Sequence, residues 1–380
     1  MIVPFNKPFH TGNELAYISE SLKSNKLSGN HHYSKMVKEW MFKKHGLEGV
    51  FLTPSCTAAL EMGALLLGIG PGDEVIMPSY TFTSTANAVL IFGAKPVFCE
   101  IHPKDMNIDV SKIESLITSK TKMIIPIDYA GVPCDIAEIM AIANSYGLAV
   151  MHDCAQSYGS LYKNEISGRQ AHLSCYSFHD TKNFTCGEGG ALVVNEAFRR
   201  ERASFLMEKG TDRSRMLKGL QEKYSWVDKG SSYLLADILA AMLLSQLQAE
   251  DEIKKKRQEL VNKYYDWVAN LKFAQQLLVC QQDENKSPNG HIFYMILPTR
   301  NIRDRFIEKM DLSDIAAHIG YVPLHSSSMG TNLGYKTEDL PITEDLAGRI
   351  VRMPIFTGMT DDEFNYTISN ATKILSSLLT

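Results

Sequence analysis

Lys182 stands in Tyr176-Ser177-Phe178-His179-Asp180-Thr181-Lys182, just ahead of the glycine-rich run Cys186-Gly187-Glu188-Gly189-Gly190. Most lysines are solvated surface charges. One held beside a tight glycine turn, among apolar walls or other cations, has its pKa depressed and becomes a usable amine nucleophile. Asp153 directly follows the strand-like run Leu148–His152. A carboxylate at the end of a buried strand is costly unless a cation or hydrogen-bond donors meet it, although a helix cap or a local hydrogen bond would also explain it. Ser55-Cys56-Thr57 lies between a strand-like run and a helix rich in alanine and leucine. The open amides and positive dipole end of such a helix bind phosphate, or else Ser55 or Thr57 simply caps it. Phe82, in Tyr80-Thr81-Phe82-Thr83, reads either as core or as a platform for a planar ligand.

These residues gain weight from the elements that would hold them. Val50–Thr53, Glu74–Pro78, Pro96–Cys99, Lys122–Ile127 and Leu148–His152 read as short buried strands, and Ala191–Val194 as another. Helical stretches at Thr57–Leu67, Ala86–Phe92 and Ile136–Tyr146 fall between them. Alternation of this kind predicts βαβ units and a mainly parallel sheet with helices on its faces. Ligands of such sheets sit beyond the carboxyl ends of the strands, where all of these residues fall. After Ser231 the texture changes. Tyr233–Leu271 has no Pro or Gly and predicts one or two long helices, Asn289–Pro298 a strand, Ile302–Met310 a helix, and Pro341–Ser377 a loop followed by a final helix. The division is expected near residue 250, giving a large domain over 1–250 and a smaller one over 251–380.

The 380 residues, 44% of them hydrophobic, suffice for a large core and two domains. With 39 basic against 43 acidic residues the formal charge is −4, so no broad basic surface for nucleic acid is expected. No apolar run approaches the ~20 residues of a membrane-spanning helix. The start, MIVPFNKPFHTGNEL, lacks the layout of a signal peptide. Seven scattered cysteines suit reduced thiols in a cytoplasmic protein better than a disulfide framework. Gly68-Ile69-Gly70-Pro71-Gly72 follows a helix, so it reads as a turn rather than a dinucleotide loop. His31-His32 and His152-x-Cys154 have no second pair at ligand spacing, so no metal is expected.

The segments GDEVIMPSYTFTSTANAV (Gly72–Val89), HDCAQ (His152–Gln156) and SFHDTKN (Ser177–Asn183) resemble the DegT/DnrJ/EryC1/StrS sugar aminotransferase family. The likeness runs from PFNKP near the start to Pro323–His325 and Met353–Phe356. Within the family it is most similar to the dTDP-4-amino-4,6-dideoxygalactose transaminases, through TPSCTAALEM (Thr53–Met62), EKGTDRS (Glu208–Ser214) and GSSYL (Gly230–Leu234). The resemblance implies an α/β fold of the aspartate-aminotransferase type, fold type I among pyridoxal-phosphate enzymes. Its large domain carries a mainly parallel seven-stranded sheet, with a smaller C-terminal α/β domain.

By position, the resemblance implies that Lys182 carries pyridoxal 5'-phosphate as a Schiff base and that Asp153 pairs with its pyridine nitrogen. Gln156, one helical turn on, would bond the ring hydroxyl, and Phe82 would stack on the ring. Ser177 and the backbone of Cys56 and Thr57 would hold the phosphate. Ser232 would reach the phosphate of a second subunit, in a homodimer with shared sites. Ser232 and Leu234 stand where many relatives have Asn and Arg, and Asp128 and His152 where His and Glu are commoner. The implied reaction moves an amino group from L-glutamate to a dTDP-4-keto-6-deoxyhexose, with galactose configuration favoured. Alternatives are a 3-keto nucleotide-sugar aminotransferase, a dehydratase that replaces the lysine with histidine, and a sensor that has lost the chemistry. Lys182 argues against the dehydratase; Lys182, Asp153 and Gln156 together argue against the sensor.

Overall fold

Seven short strands form one sheet: β1 (Val50–Thr53), β2 (Glu74–Pro78), β3 (Lys95–Cys99), β4 (Thr121–Ile124), β5 (Ala149–Asp153), β6 (Leu173–Ser177) and β7 (Gly190–Val194). In this computed structural model, which describes residues 1–379, their spatial order is β1-β7-β6-β5-β4-β2-β3. β7 is antiparallel to both of its neighbours, and the other pairings are parallel, so every strand but β7 points the same way. β1, β6 and β7 are buried at every residue. That is why they read as continuous apolar runs rather than as alternating ones.

Both faces of the sheet are covered, because successive side chains of a strand point to opposite sides. Phe51, Met151, Leu173 and Leu192 meet Ala59 and Leu60 of helix α1 (Cys56–Leu66). Val50, Leu52, Tyr176 and Val193 meet Tyr33, Val37 and Met41 of helix His32–His45, together with Leu244 and Leu247. A Cβ on Gly63 would lie 2.4 Å from Met151 Sδ, so glycine is what lets α1 lie this close to β5.

A second core lies against an antiparallel sheet of Leu278–Val279, Phe293–Ile296 and Ile350–Met353. It draws on helices Glu250–Ala269, Arg300–Asp311 and Asp361–Leu379. The first residues of the chain join it: Val3 N–H donates to Asp314 O at 2.8 Å, and Ile355 N–H to Phe5 O at 3.1 Å. Residue 250 opens helix Glu250–Ala269, next to Ala249, the joint with helix Asp237–Gln248. Ile253 still packs in a core of the large sheet, whereas Leu260 belongs to the second core.

The tail differs from expectation. Pro341–Ser377 contains helix Pro341–Arg349 and strand Ile350–Met353 before its final helix, where a plain loop was expected. Pro341 occupies the first turn of that helix, where its missing N–H costs nothing. Tyr233–Leu271 resolves into two helices, with an extended lead-in pinned to β1 by Leu235 N–H donating to Leu52 O at 3.2 Å. The seven cysteines form no disulfide, and all are buried. Among the described residues no helix is long and apolar enough to cross a membrane.

Candidate active site

The carboxyl ends of β1, β5 and β6, with the loop that follows β2, open into one cavity of about 570 Å³. Cys56, Thr57, Phe82, Asp153, Gln156, Ser177 and Lys182 all line it; Ser232 does not. Residues that are up to 126 positions apart in the sequence (Cys56 to Lys182, 182 minus 56) therefore face one space.

Lys182 hangs from a loop closed at its base by two backbone bonds, Phe178 N–H to Gly189 O at 2.8 Å and Cys186 N–H to Phe178 O at 3.0 Å. Its neighbour Asn183 fixes the far side, pairing with His291 Nδ1 at 2.9 Å and donating to Asn289 O at 3.0 Å. The Lys182 ammonium makes no hydrogen bond among the described residues. Burial pushes its pKa down; Cys56 and Asp153 oppose that shift, and the positive charge of Arg352 adds to it. A lysine so placed has a share of neutral amine to react with. His179, three residues from Lys182 and not at the lysine's position, turns to Asp180 at 2.9 Å and Glu188 at 3.5 Å.

Asp153 is the last residue of β5 rather than the first beyond it. One carboxylate oxygen accepts from Thr85 Oγ1 at 2.9 Å and the other from Ala155 N–H at 3.1 Å. The local-bond reading is thus partly right, yet among the described residues no cation contacts the carboxylate. Burial raises its pKa, against the pull of those two bonds and of Lys182 and His152.

At the mouth of α1 the Ser55 hydroxyl accepts from Ala58 N–H at 3.1 Å, so the capping reading of Ser55 holds. Only one of the orphan amides is used in this way, which leaves those of Cys56 and Thr57 for a ligand. A Cβ on Gly190 would lie 2.5 Å from Cys56 N, so glycine there lets β7 press against this turn. Among the described residues the Ser177 hydroxyl accepts only a long 3.4 Å bond from His179 N–H.

Phe82 is 58% exposed, which removes the core reading. Its ring lies 6.2 Å from that of Tyr321 across the cavity wall. Gln156 sits in a turn, not one helical turn along a helix, because the chain leaves β5 without a helix following. Its Oε1 accepts from Ala130 N–H at 2.7 Å and its Nε2 donates to Tyr321 OH at 2.9 Å, leaving one amide hydrogen free. Ser232 is exposed and bridges Glu208; the helix beyond it begins at Asp237 with Ala236 as cap. Capping therefore does not explain Ser232.

Asp128 and His152, at the positions that depart from the commoner pattern, form a fully buried pair at 2.7 Å. Asp128 also accepts from Cys134 N–H at 2.8 Å and from Ser167 Oγ. Burial would raise its pKa, but His152 and the hydroxyls outweigh that and hold it low. Neither residue lines the cavity. Cys154 joins them, with ligand atoms all within 4.8 Å of one another, although Asp128 and His152 bond each other directly.

Sequence reasoning missed Thr85, His291, Tyr321 and Arg352, all of which line the cavity. Thr85 lay inside a quoted motif and Arg352 one residue before another. Neither the short helix Thr83–Leu90 nor strand Ile350–Met353 aims Thr85 or Arg352 anywhere in particular until their partners are known.

The cavity fits pyridoxal phosphate by chemistry. It offers an unbonded amine, a buried carboxylate without a cation, an exposed aromatic ring, and open amides for phosphate.

A model of the DegT/DnrJ/EryC1/StrS aminotransferase family matches residues 9–371. The spore coat polysaccharide biosynthesis protein SpsC of Bacillus subtilis is 30% identical over 389 residues, covering 96% of this chain and 95% of its own. GDP-perosamine synthase of Escherichia coli O157:H7 is 29% identical over 378 residues, covering 98% of this chain and 99% of its own. The PLP-form of Spr1654 from Streptococcus pneumoniae superposes with a TM-score of 0.91 at 24% identity over 100% of both chains, a likeness of fold. That fold is the type I fold of pyridoxal-phosphate aminotransferases. The family match spans most of the chain, and this protein belongs to the DegT/DnrJ/EryC1/StrS aminotransferase family of pyridoxal-phosphate-dependent sugar aminotransferases.

Proposed function

We propose that this enzyme moves the amino group of L-glutamate to the keto carbon of a dTDP-4-keto-6-deoxyhexose, giving a 4-amino-4,6-dideoxyhexose of galactose configuration. The observation that carries the reaction type is the unbonded, half-buried Lys182 amine sharing one cavity with Asp153. Pyridoxal phosphate, when bound, supplies the electron sink and stores the amino group between donor and acceptor. Asp153 would hold a proton on the ring nitrogen, and the spare Gln156 amide hydrogen would be offered to the ring hydroxyl. The Cys56 and Thr57 amides and the Ser177 hydroxyl would hold the phosphate, and Phe82 would stack on the ring. Lys182 Nζ takes a proton from the donor carbon and later delivers one to the sugar carbon. The dTDP-galactose assignment rests on the motif likeness at Thr53–Met62 and Gly230–Leu234.

Product analysis by NMR tests it. Incubation with glutamate and dTDP-4-keto-6-deoxyglucose should yield an axial amine at C4. A GDP-linked keto sugar belongs in the same experiment, because one relative is a GDP-perosamine synthase. Action only on that sugar, or only on a 3-keto isomer, would overturn the assignment.

The same reading makes the active unit a homodimer in which Ser232 completes the partner's phosphate site. Two facts support it: Ser232 stays outside its own cavity, and nearby Leu220 and Trp226 are 70% and 81% exposed. A Lys182→Ala chain mixed with a Ser232→Trp chain, each inactive alone, should regain activity. The heterodimer then holds one doubly damaged site and one intact site, about a quarter of wild-type activity for random exchange. Confirmed exchange without recovery would refute the cross-subunit role.

A further inference from the structure

We infer that Asp128 is a positioning residue for the cofactor site: with His152 it fixes the turn whose Ala130 amide aims Gln156. This rests on the contact proposed above for Gln156 and adds what sets that contact. Among the described residues the Gln156 carbonyl oxygen accepts only from Ala130 N–H, at 2.7 Å. That bond decides which end of the amide is left for a ring hydroxyl. Ala130 has φ +58°, in the left-handed region, although it is buried and is not glycine. Such a backbone costs energy and persists only where its surroundings dictate it.

The surroundings here are the bonds of Asp128. One carboxylate oxygen accepts from Cys134 N–H at 2.8 Å, which closes the loop beyond the turn, and from His152 Nε2 at 2.7 Å. The other accepts from Ser167 Oγ. The Asp128 backbone bonds both ways, its O accepting from Gly131 N–H and its N–H donating to Asp153 O, each at 3.3 Å. His152 Nδ1 has no partner among the described residues, so the ring is oriented from its Nε2 side alone, by Asp128 and by Cys134 Sγ at 3.3 Å. Both members of the pair are fully buried, so a lost bond leaves a polar atom that water does not reach. His152 and Asp153 are consecutive on β5 and their side chains point to opposite faces. The pair therefore acts from behind the sheet, while Asp153 and Gln156 face the cavity.

The test is a double-mutant cycle on cofactor affinity, read by titrating the full-length apoprotein with pyridoxal phosphate. Asp128→Ala and Gln156→Ala should each weaken binding about tenfold, and the double variant no more than about twofold beyond either, because both remove one contact. Losses that add, to about a hundredfold, would place the effect of Asp128 elsewhere and overturn the inference. Asp128→Asn keeps an oxygen for Cys134 N–H and His152 Nε2, so it should stay within about threefold of wild type. A loss as large as that of Asp128→Ala would assign the effect to charge felt at Asp153 and would also overturn it. The second readout needs no cofactor: hydrogen exchange at the Ala130 amide, followed by NMR on isotope-labelled alanine. In Asp128→Ala it should quicken about tenfold, with Ala59 and Ala64 of α1 unchanged. Unaltered exchange at Ala130, or a rise shared by Ala59 and Ala64, would mean no specific hold on the turn and would overturn the inference. If Gln156→Ala leaves affinity unaltered while Asp128→Ala quickens Ala130 alone, the proposed contact of Gln156 fails and the hold of Asp128 on the turn stands. Should Asp128→Ala fail to fold, the same two measurements on Ser167→Ala, which removes one bond to Asp128, decide.

Discussion

Lys182→Ala should abolish turnover, by at least ~10⁴-fold, while the protein still takes up pyridoxal phosphate. The size follows from what the proposed mechanism asks of one side chain, which is to be both the covalent attachment and the group that moves the proton. Retention of cofactor follows from the rest of the cavity, since Asp153, the open amides of α1 and Ser177 are untouched. The fold should tolerate the change, because the Lys182 side chain makes no hydrogen bond among the described residues and its loop is held by Phe178, Cys186 and Asn183. Absorbance shows the distinction. The variant should bind cofactor as the free aldehyde and lose the shifted band of an imine. A variant that turns over within tenfold of wild type would remove Lys182 from the centre of the chemistry.

Asp153→Asn should lower the rate by about 10²- to 10³-fold, roughly 3–4 kcal/mol, with much less effect on cofactor occupancy. The amide oxygen can still accept from Ala155 N–H while its NH2 donates to Thr85 Oγ1 in place of accepting, so its place is kept while the charge is lost. The pH logic gives a second, independent outcome. Burial holds the Asp153 pKa above its unfolded value, so the native apoprotein binds this proton more tightly than the unfolded chain does. Its ionised form therefore costs stability at pH above the folded pKa, and that cost is relieved as pH falls through it. Apo Asp153→Asn should thus melt no lower than apo wild type, and the stabilisation gained on adding cofactor should be smaller than in wild type. Near-normal turnover would reduce Asp153 to the hydrogen bonds it makes with Thr85 and Ala155.

Much of this site was legible in the sequence because it is built at strand ends. The bounds of β1 and of helix Ile136–Tyr146 are those the periodicity predicts, and the other strands of the sheet shift by a few residues at most. Glycines and apolar runs mark where β5, β6 and β7 end, and so where Asp153, Ser177 and the Lys182 loop must face. The C-terminal part was less legible. Strand Ile350–Met353 has Arg352 in its middle, a pattern that resembles a polar tail until Phe5 and the Ile319 carbonyl are known to receive it. The docking of Val3 and Phe5 onto that part, more than 300 residues away in the sequence (314 minus 3 for the Val3–Asp314 bond), has no local signature at all. The family resemblance puts Gln156 one helical turn beyond Asp153. The chain instead makes a turn there, and the Gln156 amide is aimed by Ala130 and Tyr321 rather than by helical geometry.

The measurement that bears most directly on the whole account is borohydride reduction of the holoenzyme followed by peptide mapping. The structure gives the cavity one lysine, Lys182. Reduction should therefore fix one pyridoxyl group per chain, on the peptide that contains Lys182, and prior incubation with glutamate should prevent the labelling. Label on any other lysine, or none on a protein that carries the cofactor, would contradict it.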